Sequence, residues 1–274
     1  MPELPEVEVV KNGLQQILKN QPRILRFQFL RKDLRDPIPQ KALEKIQGAK
    51  ILEVSRRAKY LLFKTDQGSF LSHLGMTGVW RTEKNLQAES PSEPHDHIRI
   101  FLENGDCLIY RDPRRFGIFD ILDAKTEIKR FGHLGPEPLA EEFTGESLWQ
   151  SLRGKATSIK VAIMDQKLVV GVGNIYASEC LFLSGIRPQT KAHKISKARA
   201  ETLALMIKNV LQQAIQAGGS TISDFENAEG ASGYFQKQFK VYDRAGLECL
   251  ICDSLVRVAT QAGRSTFWCP TCQS

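Results

Sequence analysis

The stretch IRIFLENGDCLIY, residues 98–110, decides the fold of the N-terminal half of this chain. Branched and aromatic residues stand on both sides of Asn104-Gly105, a dipeptide that is typical of the tight turn of a β-hairpin. We therefore predict two antiparallel strands here. Further strand-like segments at 51–54, 60–64 and 69–74 extend the pattern over about residues 23–123, which predicts a β-sandwich or barrel.

Helical patterns lie on either side of this strand-rich region. Val7, Val10 and Leu14 recur at helical spacing within residues 5–20, so we predict a helix that packs on the sheets. Beyond a turn-rich segment, helices are predicted at about 141–153, 158–166, 174–184 and 196–217. The fold class is therefore α+β, with an N-terminal β-sandwich followed by a helical region. We predict three domains, over residues 1–134, 135–237 and 238–274.

The size and charge of the chain limit the kinds of protein it can be. Its 274 residues are enough to form two substantial cores. Lysine and arginine number 38 against 31 aspartate and glutamate, and the net charge of +7 favours a polyanionic partner such as nucleic acid. The chain has no run of about 18 apolar residues and no secretory signal pattern, so we expect no membrane span and a cytoplasmic location.

The cysteines point to a metal site rather than to disulfides, because the cytoplasm is reducing. Four of the six form the pattern Cys249-x2-Cys252-x16-Cys269-x2-Cys272. Two such pairs on tight turns can surround one Zn²⁺ tetrahedrally, and four thiolates leave no open position for catalysis. We predict one structural zinc ion, which stabilises a unit too small to fold by core burial alone.

The segment Met1-Pro2-Glu3-Leu4-Pro5-Glu6 bears on catalysis. A small residue at position 2 favours removal of Met1, which leaves a secondary amine on Pro2 beside the carboxylate of Glu3. An α-amino group has a pKa of about 7.7–8.0, so part of it is unprotonated at neutral pH and can form a Schiff base with an electrophilic carbon. On these residues alone, a stiffened terminus before a helix is the simpler interpretation.

Other segments suit an anionic partner. Gly171-Val172-Gly173-Asn174 precedes a predicted helix, where backbone amides favour a phosphate, although a helix cap explains the pattern equally well. The sequence DPRRFG at 112–117 combines arginine with an aromatic residue and suits insertion into DNA, the alternative being a core phenylalanine. Lys59, His95 and Arg264 are candidate phosphate contacts or solvated surface residues.

Together these segments resemble one known family. The chain is similar from end to end to bacterial formamidopyrimidine-DNA glycosylases of the MutM type, which remove oxidised purines such as 8-oxoguanine. The resemblance implies a helix–two-turns–helix element in the helical region. It rests on PELPEVE (2–8), RRAKY (56–60), HLGMTG (73–78), PHDHI (94–98), DPRRFG (112–117), KLVVGVGNIYASE (167–179) and the cysteine pattern.

The resemblance implies a bifunctional DNA glycosylase and AP lyase of base-excision repair. Pro2 matches the residue whose amine is the nucleophile in this family and forms a Schiff base with the deoxyribose. Glu3 matches the proton donor, and Glu6 the residue that orients the N-terminus. Lys59 matches a lysine linked to the β and δ eliminations that break the strand. Arg264 matches a zinc-finger arginine that grips the phosphate near the lesion.

The implied partner is double-stranded DNA that contains oxidised purines or abasic sites. We expect a monomer that binds it in a bacterial cytoplasm and associates with the nucleoid through this substrate. Zn²⁺ is the expected cofactor. Three residues match the set that fills the void left by a flipped nucleotide, namely Met76, Arg114 and Phe116. Other positions matched to DNA contacts are His95, Lys160 and Asn174.

The chain departs from the family pattern at three positions. Asp243 and Asp253 stand where glycine is usual, which puts the local geometry of the finger in doubt. Ala156 stands where a lysine is common, with Lys155 beside it, which puts one phosphate contact in doubt.

Two other functions stay open at this point. An endonuclease VIII-type enzyme prefers oxidised pyrimidines, but that group usually reads PEGPE where this chain has Leu4, and it fills the void differently. A non-catalytic zinc-finger protein that only binds DNA shares the basic charge and the finger. Such a protein needs neither a processed Pro2 nor the adjacent Glu3.

Overall fold

The chain forms two compact units. The computed structural model describes residues 2–220 and 234–274. The polar, glycine-bearing sequence GSTISDFENAEGASG at 219–233 predicts a loop, and most of it lies outside the described residues. The first unit comprises Met1–Gly132 and Gly218–Tyr234, and the second comprises His133–Ala217 and Phe235–Ser274. The division into three domains stays a prediction. Among the described residues, no helix is both long and apolar enough to cross a membrane.

The first unit contains eight strands, which are β1 (Ile24–Phe29), β2 (Ile51–Arg57), β3 (Tyr60–Thr65), β4 (Gly68–His73), β5 (Val79–Lys84), β6 (Asp96–Leu102), β7 (Asp106–Arg111) and β8 (Ile118–Ile121). They form two four-stranded antiparallel sheets, with neighbouring strands in the orders β1-β6-β7-β5 and β2-β3-β4-β8. The hairpin predicted around Asn104-Gly105 joins β6 to β7, and Gly105 adopts a φ of +87° in its turn.

The two sheets share one apolar core, which confirms the predicted β-sandwich. Phe63 of β3 lies 5.7 Å from Trp80 of β5 between ring centroids, and Phe70 of β4 lies 5.8 Å from Phe27 of β1. The predicted N-terminal helix packs on this unit and buries Val7, Val10 and Leu14 in the same core. The helices of the first unit are α1 (Leu4–Ile17), α2 (Gln40–Glu44) and α3 (Ala124–Phe131).

The second unit is helical, as its sequence pattern predicts. The first of its helices begins later than predicted, because the Thr144 hydroxyl caps it by accepting a hydrogen bond from the backbone N–H of Ser147 at 3.0 Å. Residues 192–194 and 235–238 form short 3₁₀ helices. The α-helices are α4 (Gly145–Leu152), α5 (Ile159–Ile163), α6 (Asn174–Leu183) and α7 (Lys197–Gln216).

A small hairpin completes the second unit between the two cysteine pairs. It consists of β9 (Arg257–Gln261) and β10 (Arg264–Trp268), joined by the two residues Ala262 and Gly263. Both linking residues have positive φ, +47° and +73°, as a type I′ turn requires. The turn places Arg264 at the first position of β10, where its side chain is exposed.

Candidate functional site

The N-terminal segment is held by a buried carboxylate. Glu6 lies in the first turn of α1 and is only 2% exposed. Its Oε2 accepts the backbone N–H of Glu3 at 2.8 Å. Its Oε1 accepts both the backbone N–H of Ser220 at 2.8 Å and the Ser220 hydroxyl at 3.0 Å. Glu6 therefore fixes the backbone one residue after Pro2, which supports its predicted orienting role.

Glu3 and Pro2 are also buried in the first unit. Glu3 is 2% exposed and directly precedes α1. A carboxyl group in such a place can exchange a proton with a neighbouring group without competition from bulk water. The chemistry predicted for this segment needs an amine and a carboxyl group side by side, and the structure holds the two residues in one fixed segment.

Lys59 lies in a tight turn between β2 and β3. Arg57 pairs with Tyr60, so the loop consists of Ala58 and Lys59 alone. Ala58 has a φ of +53°, which is the left-handed region that costs an alanine about 1–2 kcal/mol. Lys59 is 9% exposed. The turn thus holds a lysine that is largely buried, directly after an alanine in a left-handed backbone conformation.

The segments 73–78 and 112–117 lie against each other, although they are far apart in the sequence. Gly75 has a φ of +61°, and a Cβ atom there would lie 2.4 Å from the carbonyl carbon of Phe116. Only glycine permits this close approach of the two backbones. Met76 follows Gly75 and is half-buried, and the Arg114 guanidinium lies 5.0 Å from the centroid of the Phe116 ring.

The three residues predicted to fill a void in DNA are therefore brought together in the first unit. Phe116 is 44% exposed, so it is not the core phenylalanine that the sequence left open. Thr77 and Asp112, for which the sequence predicts no role, join the two segments by hydrogen bonds. Their position inside the motifs HLGMTG and DPRRFG was the only sign of importance in the sequence.

His73 closes the base of the 73–78 segment as a neutral imidazole. Its Nδ1 accepts the backbone N–H of Gly75 at 3.0 Å. Burial, with a further contribution from the charge of Lys59, lowers the pKa of His73 from 6.5 to about 4. At neutral pH the ring is therefore uncharged and able to accept this bond.

His95 lines a surface cleft beside the 112–117 segment, and its backbone carbonyl accepts the backbone N–H of Asp112 at 3.1 Å. The cleft has a volume of about 590 Å³ and is also lined by Arg31, His97 and Arg115. His95 and Arg115 both adopt left-handed backbone conformations, with φ of +73° and +58°. His95 is exposed and next to cationic groups, which suits the predicted contact with DNA.

In the second unit, Lys160 and Asn174 are joined directly. Lys160 is 1% exposed, and its Nζ donates to Asn174 Oδ1 at 2.6 Å, Ser265 O at 2.8 Å and Thr266 Oγ1 at 2.9 Å. A lysine ammonium has three N–H donors. The prediction that Lys160 contacts a phosphate directly does not fit this geometry, because its donors are taken up inside the protein.

The same contacts orient the neighbouring candidates. Because Lys160 has no acceptor, Asn174 must turn its Oδ1 toward it, which leaves Nδ2 as the donor for a phosphate oxygen. Asn174 is the first residue of α6, where backbone amides and the helix dipole favour an anion. Ser265 and Thr266 follow Arg264 in β10, so Lys160 also fixes the strand that carries this arginine.

Glu179 attaches the chain leading into the finger to α6. It is 2% exposed, and its carboxylate accepts the backbone N–H groups of Lys240, Val241 and Tyr242 at 2.8 to 3.0 Å. Burial raises the pKa of Glu179, and the three hydrogen bonds act in the opposite direction. Glu179 lies within the motif KLVVGVGNIYASE, but its spacing in the sequence does not predict this role.

The four cysteines of the second unit form a structural zinc site. Their Sγ atoms all lie within 4.8 Å of one another. Cys249 and Cys272 are 3.8 Å apart between sulfurs, and Cys252 and Cys269 are 3.4 Å apart. Tetrahedral ligation at a Zn–S distance of about 2.3 Å requires sulfurs about 3.8 Å apart. The donor set fits zinc, and a bound ion would crosslink the two turns that flank the hairpin.

The departures from the family pattern are accommodated in the finger. Asp243 and Asp253 have φ of +57° and +61°, so both adopt the left-handed conformation that glycine usually supplies. Aspartate is among the residues that tolerate this conformation best after glycine. The turn at Asp253 closes normally, with its N–H donating to Cys249 O at 3.2 Å. Ala156 is exposed, and Lys155 beside it is half-buried.

Three family models match the chain in sequence order. The formamidopyrimidine-DNA glycosylase N-terminal domain matches residues 1–119, and the formamidopyrimidine-DNA glycosylase H2TH domain matches residues 134–226. A zinc finger found in FPG and IleRS matches residues 246–274. The matches correspond to the strand-rich unit, the helical region and the cysteine site.

Known proteins resemble the chain over its whole length. A formamidopyrimidine-DNA glycosylase of Bdellovibrio bacteriovorus is 51% identical over 273 residues, and one of Pseudomonas aeruginosa is 44% identical over 273 residues, with 100% of each chain covered. Lactococcus lactis Fpg in complex with an abasic site containing DNA superposes with a TM-score of 0.88 at 33% identity, covering 99% of both chains. MutM (FPG) from Thermus thermophilus superposes with a TM-score of 0.86 at 38% identity, covering 99% of this chain and 98% of the Thermus chain.

Proposed function

This chain belongs to the formamidopyrimidine-DNA glycosylase family of DNA-repair enzymes, and from that premise we propose that it excises oxidised purines and then cleaves the strand as an AP lyase. The proposed substrates are 8-oxoguanine and formamidopyrimidines in duplex DNA. The observation that carries the proposal is the Glu6 carboxylate, which fixes the backbone next to Pro2.

The first chemical step takes place at the sugar. The unprotonated amine of Pro2, freed by removal of Met1, attacks C1′ of the damaged nucleotide. The glycosidic bond breaks, and the base departs with the bonding electrons and takes up a proton. Glu3 donates a proton to O4′ as the sugar ring opens, and the amine loses its own proton. The product is an iminium that joins Pro2 to C1′.

The iminium then serves as an electron sink for strand cleavage. It acidifies the C2′–H bond, and loss of that proton expels the 3′ phosphate in a β-elimination. A second proton loss, at C4′, expels the 5′ phosphate in a δ-elimination. Lys59 assists these steps from the β2–β3 turn. Because the Schiff base supplies its own electron sink, the proposed reaction needs no redox cofactor.

Binding and lesion exposure use the remaining site residues. The damaged nucleotide leaves the helical stack at a cost of a few kcal/mol. Met76, Arg114 and Phe116 fill the void, and a contact between Phe116 and a base step suits its exposed ring. Asn174 and Arg264 hold phosphates from the second unit, and His95 contacts DNA from the first. The structural zinc stabilises the hairpin that carries Arg264. We place this activity in the bacterial cytoplasm, in a monomer.

Borohydride trapping tests the chemistry directly. A duplex with 8-oxoguanine, incubated with enzyme and sodium borohydride, should yield a covalent protein–DNA adduct, because the reductant converts the iminium to a stable amine. Pro2→Gly should lose excision while still binding DNA with a stable abasic-site analogue. Full excision by protein that retains Met1 would overturn the proposal, since a capped proline has no amine to attack.

Substrate choice separates the proposal from the endonuclease VIII-type alternative. Single-turnover rates on matched duplexes carrying 8-oxoguanine or thymine glycol should favour 8-oxoguanine. A clear preference for thymine glycol would replace the proposed substrate class while leaving the Pro2 chemistry in place. A pure DNA-binding protein would bind both duplexes and form no borohydride adduct.

A further inference from the structure

One hydroxyl group joins the two segments that carry the void-filling residues. The Thr77 side chain donates to Asp112 Oδ1 at 2.6 Å and accepts the backbone N–H of Arg114 at 3.1 Å. Both hydrogen-bonding directions of the hydroxyl are thereby used. Thr77 directly follows Met76, so the chain of bonds runs from the Met76 segment to the backbone of Arg114.

The acceptor in this chain is fixed from the other side as well. Asp112 is fully buried, and its Oδ2 accepts the backbone N–H of Gly117 at 2.8 Å. Its backbone carbonyl accepts from Arg115 N at 3.2 Å and lies 2.8 Å from His97 Nε2. Asp112 thus closes the turn that presents Arg114, and Thr77 is the side chain that bonds this turn to the Met76 segment.

We propose that Thr77 is a positioning residue that sets the placement of Met76 relative to Arg114 and Phe116. The proposal rests on the proposed function, because it assumes that these three residues fill the void in duplex DNA. Filling the void requires that the 73–78 and 112–117 segments keep a fixed arrangement, because segments that move apart lose contact with the stacked bases. Thr77 touches none of the reacting atoms and acts through the residues it holds.

The test compares Thr77→Val with Thr77→Ser. Valine keeps the shape of threonine and removes both hydrogen bonds, whereas serine keeps the hydroxyl. A matched control is Thr82→Val, because the buried Thr82 hydroxyl has no hydrogen-bond partner among the described residues. All variants are assayed by the rate of borohydride trapping on one abasic oligonucleotide, presented either single-stranded or in a duplex.

The two substrates separate positioning from chemistry. The same amine and the same aldehyde react in both, but only the duplex has an opposing strand and a void to fill. We expect Thr77→Val to trap the duplex about tenfold more slowly than wild type, equivalent to about 1.4 kcal/mol. It should trap the single strand at the wild-type rate. Thr77→Ser and Thr82→Val should resemble wild type on both substrates.

Two outcomes would overturn the inference while leaving the proposed function intact. One is a Thr77→Val enzyme that matches Thr77→Ser on the duplex. The other is an equal loss on both substrates, which would mean general damage to the fold. Failure of the wild-type protein to form any adduct would instead overturn the proposed chemistry, and the positioning role with it.

Discussion

Replacing Glu6 by glutamine tests whether the N-terminal amine is held in place by this carboxylate. Glutamine keeps the size of the side chain but has only one acceptor oxygen. It cannot accept from Glu3 N and from Ser220 N at opposite ends, as Glu6 does at 2.8 Å each. One backbone N–H must then face the amide NH₂ group of the new side chain.

The magnitude follows from burial. Glu6 is 2% exposed, so water cannot replace the lost acceptor. A hydrogen bond to a buried charged group contributes about 1.5–3 kcal/mol. We expect the variant to lose about 2–3 kcal/mol of unfolding free energy. If the same energy is missing from the transition state, single-turnover excision slows by roughly 30- to 160-fold.

The assay pairs excision with binding and uses a matched variant. Glu6→Gln should retain affinity for DNA with a stable abasic-site analogue while losing excision. Glu8→Gln makes the same change in α1, at a carboxylate paired with Lys11 and Arg56, and should slow excision far less than Glu6→Gln. Equal excision rates in the two variants would refute the claim that Glu6 positions the nucleophile.

Three further predictions concern the metal, a histidine and a buried lysine. Cys249→Ser removes one of the four thiolates, so metal analysis should find most of the zinc lost, and binding to a duplex with an abasic site should weaken. Full zinc content in this variant would contradict a four-cysteine zinc site. His73 has a pKa of about 4 in the folded state and 6.5 in the unfolded state, so between these pH values the unfolded state binds more protons. The unfolding free energy of the first unit should therefore fall by up to ~3 kcal/mol as the pH drops from 6.5 to 4. Urea titrations at several pH values should show a smaller loss of unfolding free energy in His73→Asn than in the wild type. An equal loss in both proteins would contradict the low pKa of His73. Lys160→Met should weaken DNA binding without changing its salt dependence. Arg264→Ala should instead lower the slope of log K against log salt concentration by about one. A lower slope in Lys160→Met would mean that this lysine does contact a phosphate.

Local patterns in the sequence were enough to predict most of the fold. The Asn104-Gly105 dipeptide predicted the β6–β7 hairpin, and the cysteine spacing predicted the zinc site, because in both cases the interacting groups are close in the chain. Helix α7 was predicted by periodicity for the same reason. The start of α4 was missed by a few residues, since the Thr144 cap determines it and periodicity does not.

The roles of individual side chains were decided by contacts between distant residues. Glu6 and Ser220 are 214 residues apart, Thr77 and Asp112 are 35 apart, and Lys160 and Thr266 are 106 apart. The sequence determined which chemical groups this protein possesses and which local turns and helices carry them. Only the tertiary structure decided that Lys160, which resembles a phosphate ligand, is buried and donates its hydrogen bonds inside the protein. It also decided that Thr77 connects the motifs HLGMTG and DPRRFG. Hydrogen bonding depends on distance in space, and spacing along the chain does not specify that distance for residues the fold brings together.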